Sequence, residues 1–316
     1  MAAGDGSARA SRVCNILLMT SPTPWHGILT AAALPFTADD AVDFERFAEH
    51  VAWLCTHGCD GVVVNGSLGE YQTLTDDERA QVVDTAVKAA AAVNGTVVAG
   101  VAAYGSGESR RWTVQAAEAG ASAVMLLPPN AYRADDRIVL EHYREVARES
   151  LPIIAYNNPF DTKVDLTPQM LATLHAEGLI VAVKEFSGDV RRAYELAELA
   201  PELDLIIGAD DVVVELALAG ARGWIAGYPN ALPTACRALY DTAMAGDVAT
   251  ALPIYKDLHS LLRWDSKTQF VQAIKLSMDV AGRFGGACRP PRLPLSPESA
   301  ARVRQDTEIA LAKGYR

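Results

Sequence analysis

Leu179-Ile180-Val181-Ala182-Val183-Lys184-Glu185-Phe186-Ser187-Gly188-Asp189 sets an apolar run directly against a charged amine. Residues 179–183 are bounded by Gly178 on one side and by Ser187-Gly188-Asp189 on the other. The run is too short for an ordinary helix and rich in β-branched types, so it reads as a parallel strand buried on both faces. Lys184 then falls at the strand's carboxyl end, where α/β sheets, open or closed, carry their chemistry. A solvated ammonium, with a pKa of about 10.4, is a poor nucleophile, and lowering it by roughly three units takes about 4 kcal/mol of differential desolvation. The mouth of an apolar barrel can supply that shift, leaving an amine able to form a Schiff base with a carbonyl substrate. Taken alone, the lysine reads more simply as a strand end turned to water, so the rest of the chain must carry the case.

Outward from this run the same unit repeats: short apolar run, turn, amphipathic stretch, glycine, next run. Strand-like runs fall at 27–33, 61–64, 97–101, 123–127, 153–156, 180–183, 205–207 and 224–226. Helical spacing separates them: residues 41–56 carry Val42, Phe44, Phe47, Val51 and Leu54, and Thr75 with Glu78 forms a capping box for the next helix. Gly120, Gly178 and Gly220 sit where helix C-caps belong. Eight such runs alternating with helices predict parallel βαβ units closing into a (β/α)8 TIM barrel of about 250 residues. A doubly wound open sheet ranks lower, because no GxGxxG follows the first run and Gly66-Ser67-Leu68-Gly69-Glu70 lacks the P-loop lysine. Beyond the eighth run, 233–245, 248–262, 268–280 and 297–312 read as helix, with Ser296-Pro297 as N-cap and N1. The expected organisation is a poorly ordered extension over 1–22, a catalytic barrel over 23–245 and a C-terminal helical region over 246–316.

Composition narrows the function. The chain has 316 residues, 50% hydrophobic and 21% charged, which is typical of a folded enzyme. A net charge of −11 and a pI near 5.0 argue against nucleic acid or an anionic membrane as partner. Five cysteines without paired CxxC spacing argue for a reducing, cytoplasmic setting. Cys55 and Cys59 near His50 and His57 read as small apolar helix residues rather than a zinc site. No run is long enough to span a bilayer, and 16–19 is too short for a signal-peptide core. No metal or organic cofactor is expected.

Three chemically loaded stretches fall at predicted strand ends: Asn65-Gly66-Ser67-Leu68-Gly69-Glu70, Tyr156-Asn157-Asn158-Pro159 and Lys184-Glu185. In a barrel all three face one mouth. Each has a plainer reading: Ser67 as a turn hydroxyl, Tyr156 as an aromatic lid, Glu70 and Asp210 as caps or supports.

With Val183-Lys184-Glu185 and Arg292-Leu293-Pro294-Leu295 added, these stretches make the chain resemble the dihydrodipicolinate synthase and N-acetylneuraminate lyase family of Schiff-base class I aldolases, over about 27–294. The resemblance implies a barrel with a C-terminal helical extension, assembled as a homo-oligomer, a dimer or a tetramer built from dimers. It implies that Lys184 forms an imine with a small-molecule 2-oxo acid, often pyruvate. Tyr156 would shuttle protons, and Ser67 would hydrogen-bond Tyr156. The Ser67 and Leu68 amides, with Gly66, would hold the substrate carboxylate, and Ile225 matches the position whose backbone lies against the substrate.

Three departures bear on the substrate. Leu68 replaces a second hydroxyl. Pro128-Pro129-Asn130-Ala131-Tyr132 lacks the tyrosine pair of dihydrodipicolinate synthases, with Asn130 or Tyr132 as stand-ins. Asp161 occupies the place of the arginine that holds aspartate semialdehyde, which would repel that substrate. The expected activity is therefore a carbon-carbon or carbon-oxygen lyase with a neutral or hydroxylated second half, such as a 2-keto-3-deoxy sugar acid. The alternatives are a hydroxyproline-pathway pyrroline deaminase, a true dihydrodipicolinate synthase, or a catalytically silent sugar-acid-binding paralogue.

Overall fold

Eight short parallel strands close into a barrel in the computed structural model, which describes residues 23–316. The extension expected over 1–22 lies outside the described residues. The strands are β1 (Gly27–Ala31), β2 (Gly61–Val64), β3 (Thr96–Gly100), β4 (Ala123–Leu126), β5 (Ile153–Asn157), β6 (Ala182–Glu185), β7 (Asp204–Ile207) and β8 (Gly223–Ala226). They pair in sequence order, and β1 returns to β8 through Leu29↔Ile225 and its neighbours. Helices α1 (Phe44–Thr56), α2 (Asp76–Ala91), α3 (Ser106–Ala119), α4 (Asp136–Val146), α5 (Pro159–Thr162), α6 (Pro168–Ala176), α7 (Arg191–Leu199), α8 (Val213–Leu218) and α9 (Pro233–Met244) run between and after the strands. Helices α10 (Val248–Leu262), α11 (Phe270–Val280) and α12 (Pro297–Ala312) follow the barrel. The expected (β/α)8 barrel with a C-terminal helical extension is the observed architecture. No helix among the described residues is long and apolar enough to cross a membrane.

Strand periodicity sorts the core into two layers. Leu29, Val63, Val98, Met125, Ile154, Ala182, Ile206 and Ile225 fill the barrel interior as one buried cluster. Their strand neighbours, among them Ile28, Val62, Val124, Ile153, Val183 and Trp224, belong to the layer under the helices. With both faces covered, the strands are apolar over most of their length, with polar residues mainly at their ends, and burying an apolar side chain there stabilises by about 1.5–3 kcal/mol. The two-residue period also aims the strand ends. Tyr156 follows Ile154 and Lys184 follows Ala182 into the interior, and β5 and β6 set Tyr156 opposite Lys184 in register.

The boundary at β6 differs from the sequence reading. The strand begins at Ala182, not at 179 or 180, and runs through Lys184 and Glu185. The first part of the apolar run ends α6 instead. Gly178, at φ 72°, turns the chain, its N–H donating to His175 O at 2.8 Å and the Leu179 N–H to Leu174 O at 3.0 Å. This is a Schellman closure, whose accompanying apolar contact uses the leucine that looked like strand. Gly120 and Gly220, after α3 and α8, also have positive φ, 94° and 97°. The capping box at Thr75 and Glu78 forms as expected, as does the Ser296-Pro297 start of α12.

The helical extension is tied to the barrel mouth by a buried ion pair. Lys275 on α11 donates from Nζ to Glu70 Oε1 at 2.9 Å, with both side chains at or below 1% exposure. The Arg289 N–H gives the same carboxylate a second donor at 3.0 Å. Glu70 therefore supports, as expected, although its side chain caps no helix. Breaking a buried pair on one side strands the other charge. Glu70→Gln is expected to cost about 3–5 kcal/mol in urea unfolding, and the double change with Lys275→Met to restore much of it.

Candidate active site

The interior ends in a cavity of about 770 Å³ at the carboxyl ends of the strands. Lys184 and Tyr156 form its floor, at 6% and 5% exposure. Lys184 Nζ lies 4.3 Å from the centre of the Tyr156 ring and 5.7 Å from that of Phe186, whose ring meets Tyr156 edge-on. Burial lowers the Lys184 pKa, and the charges of Asp265 and Asp210 oppose that shift. Burial raises the Tyr156 pKa, so its phenol is held protonated. An amine whose proton is held less tightly than usual and a phenol that keeps its own thus meet in one chamber. Glu185, one residue on, faces away: it accepts from Asn157 Nδ2 at 3.0 Å and from the Ser187 N–H at 2.6 Å, fastening the strand ends together.

The loop after β2 brings Gly66, Ser67 and Leu68 to the same cavity. Among the described residues the Ser67 and Leu68 amides donate to no protein acceptor, which leaves two N–H groups for a carboxylate. The expected hydrogen bond from Ser67 to Tyr156 is not made. Asn158 Nδ2 reaches the Tyr156 hydroxyl instead, at 3.4 Å, because Asn158 is buried as the N-cap of α5 two residues further along the chain. The Leu68 side chain is buried in the layer under the helices, so this position offers its backbone only.

Ile225 and Asn130 also line the cavity. Tyr132 does not: it is 58% exposed. Within one chain, then, Asn130 lines the cavity and Tyr132 does not. Asp161 lines the cavity on α5 and accepts from Asn158 Nδ2 at 2.9 Å. Asp210 supports β8 rather than capping the turn it opens, since its carboxylate accepts from Trp224 Nε1 at 2.9 Å and from the Gly227 and Tyr228 N–H groups.

Two residues in the chamber escaped the sequence reading. Tyr71, directly after Glu70, places a second phenol there, with the Arg79 guanidinium 5.3 Å from its ring. Asp265, between α10 and α11, enters from outside the barrel strands and is 6% exposed. Tyr71 lies one residue past the loop that follows β2, and Asp265 follows no strand.

Residues 24–310 match the model of the dihydrodipicolinate synthetase family. The chain belongs to this family. Within the dihydrodipicolinate synthetase family it is 32% identical to a 4-hydroxy-tetrahydrodipicolinate synthase of Acidothermus cellulolyticus, over 92% of this chain and 94% of that one. It is 30% identical to an uncharacterized DapA-like lyase of Rhizobium meliloti, over 91% of this chain and 97% of that one. The solved dihydrodipicolinate synthase of Aquifex aeolicus superposes with a TM-score of 0.85 at 28% identity, covering 92% of this chain and 98% of that one. As a dihydrodipicolinate synthetase family member the protein is a lyase. Leu68, Asn130 and Asp161, the positions expected to depart from the family, all line the chamber holding Lys184.

Proposed function

We propose that this lyase acts on a 2-oxo acid through an imine on Lys184. The observation that carries the reading is the burial of the Lys184 amine beside the Tyr156 phenol in one cavity. The neutral amine attacks the keto carbon, the carbinolamine loses water, and the protonated imine withdraws electrons from the adjacent carbon. Tyr156 moves protons between the leaving oxygen and the cavity, while the Ser67 and Leu68 amides hold the carboxylate against Gly66 and Ile225. The bond then broken is carbon to carbon or carbon to oxygen. In deuterium oxide the protein should exchange the methyl protons of pyruvate, or the C3 protons of a 2-keto-3-deoxy acid, as followed by proton NMR. No exchange with any member of such a panel would overturn the reading.

The second half of the substrate is neutral or hydroxylated, of the 2-keto-3-deoxy sugar-acid type. Asp161 supports this, since it sets an anion on the wall where aspartate semialdehyde would need a cation. The name of the Acidothermus cellulolyticus relative favours a second reading, synthesis of 4-hydroxy-tetrahydrodipicolinate. The two separate on one substitution. If Asp161 repels the semialdehyde, Asp161→Arg should raise kcat/KM for its condensation with pyruvate by about tenfold or more. An efficient unmutated protein that the change impairs would establish the second reading instead.

A further inference from the structure

We propose that Asp265, brought in by the segment between α10 and α11, is the counter-charge that Lys184 faces throughout its reaction. This rests on the imine reading above for its chemistry, but the electrostatic pairing stands on geometry. Asp265 is buried and lines the cavity with Lys184 and Tyr156. Its hydrogen bonding is sparse: among the described residues, only the Asp210 N–H donates to it, at 3.3 Å. Asp210, the neighbouring carboxylate, is by contrast held by Trp224, Gly227 and Tyr228. A buried carboxylate with so little hydrogen bonding stays ionised only with a cation nearby.

Of the other cations lining the cavity, Arg79 is held by the Gly100 and Ala102 carbonyls and Arg292 lies over the Phe270 ring, which leaves Lys184 for that place. The titratable groups facing Asp265 are Lys184 on β6, Asp210 and Asp211 after β7, Tyr156 on β5 and Tyr228 after β8. Lys184 alone among them is a cation. Lys267, on the same segment as Asp265, is exposed and lies over the Trp264 ring at 3.8 Å. Among the described residues no direct ion pair joins Lys184 to Asp265, so the two act across the chamber they both line rather than locking together. Room for the carboxylate depends on Gly227, where a Cβ would stand 2.8 Å from Asp265 Oδ1.

The consequence is a balance. Burial alone would drive Lys184 far toward the neutral amine, and burial alone would drive Asp265 toward the neutral acid; each charge opposes the other's shift. The nitrogen is positive as the ammonium and positive again as the protonated imine, and Asp265 faces it in both states. It is a positioning residue in the electrostatic sense, acting through Lys184.

The test follows the Lys184 amine without substrate, by competitive acetylation with acetic anhydride across pH, read by mass spectrometry of its peptide. Removing an opposite charge at this range lowers an amine pKa by about one unit or more. Asp265→Asn should therefore shift the Lys184 midpoint down by at least that amount, and Asp265→Glu should hold it near the unmutated value. Asp265→Ser serves the same purpose if the asparagine protein does not fold. An unmoved midpoint in a folded Asp265→Asn or Asp265→Ser protein overturns the proposal. Because acetylation needs no imine, a downward shift together with failed proton exchange in the unmutated protein would sink only the imine reading.

Discussion

Replacing Lys184 by methionine is expected to lower turnover by about 10⁴-fold or more while the barrel stays folded. Lys275 is locked against Glu70 at 2.9 Å, and Lys267, which also lines the cavity, is exposed and lies over the Trp264 ring. Stability should move the other way. The Lys184 pKa is lowered on folding from an ordinary 10.5, so the unfolded chain holds the proton more tightly than the folded one. The native lysine therefore costs stability most at low pH, and that cost fades as pH rises from the lowered folded pKa toward 10.5. The methionine protein should melt at or above the unmutated protein near neutral pH, and its advantage should shrink as alkalinity increases. Thermal melts across pH alongside turnover check both halves. Inactivation accompanied by a large loss of stability would mean that the lysine is structural.

Tyr156→Phe is expected to cut kcat by about 10²–10⁴-fold with little change in fold. The change deletes one hydroxyl whose recorded contact is Asn158 Nδ2 at 3.4 Å, and it leaves the ring that Lys184 lies over at 4.3 Å. Imine formation should survive in slower form, because the amine remains and water can supply protons inefficiently. Turnover by steady-state kinetics and imine accumulation by borohydride quench separate the two steps. A phenylalanine protein with more than half the normal kcat would remove Tyr156 from the chemistry.

How far the sequence could be read follows from which signals are local. Strand burial on both faces writes itself as unbroken apolar runs, so eight strands, their order and the placement of Lys184 and Tyr156 were legible. The start of β6 was not, because a Schellman closure uses an apolar residue just as a strand does, and Leu179 fits both patterns. The missing contact between Ser67 and Tyr156 depends on where side chains turn inside a loop, which residue spacing does not encode. Asp265 was invisible for a different reason. It comes from a helical region with no strand periodicity, and only the packing of that region over the barrel mouth brings its carboxylate near Lys184. Tyr71 lies directly after a stretch singled out for its chemistry, but nothing in residue spacing says which way its ring turns. Its inward turn follows from Glu70, which sits at φ 53° with its carboxylate drawn to Lys275.

The central claim, that the amine of Lys184 bonds covalently to a 2-oxo acid, meets its most direct test in reductive trapping. The folded protein is incubated with pyruvate and a panel of 2-keto-3-deoxy acids, reduced with borohydride, digested and mapped by mass spectrometry. The account predicts one modified peptide, carrying the reduced 2-oxo acid on Lys184, and none in the Lys184→Met protein. An adduct on a different lysine, or no adduct with any acid tried, would contradict it.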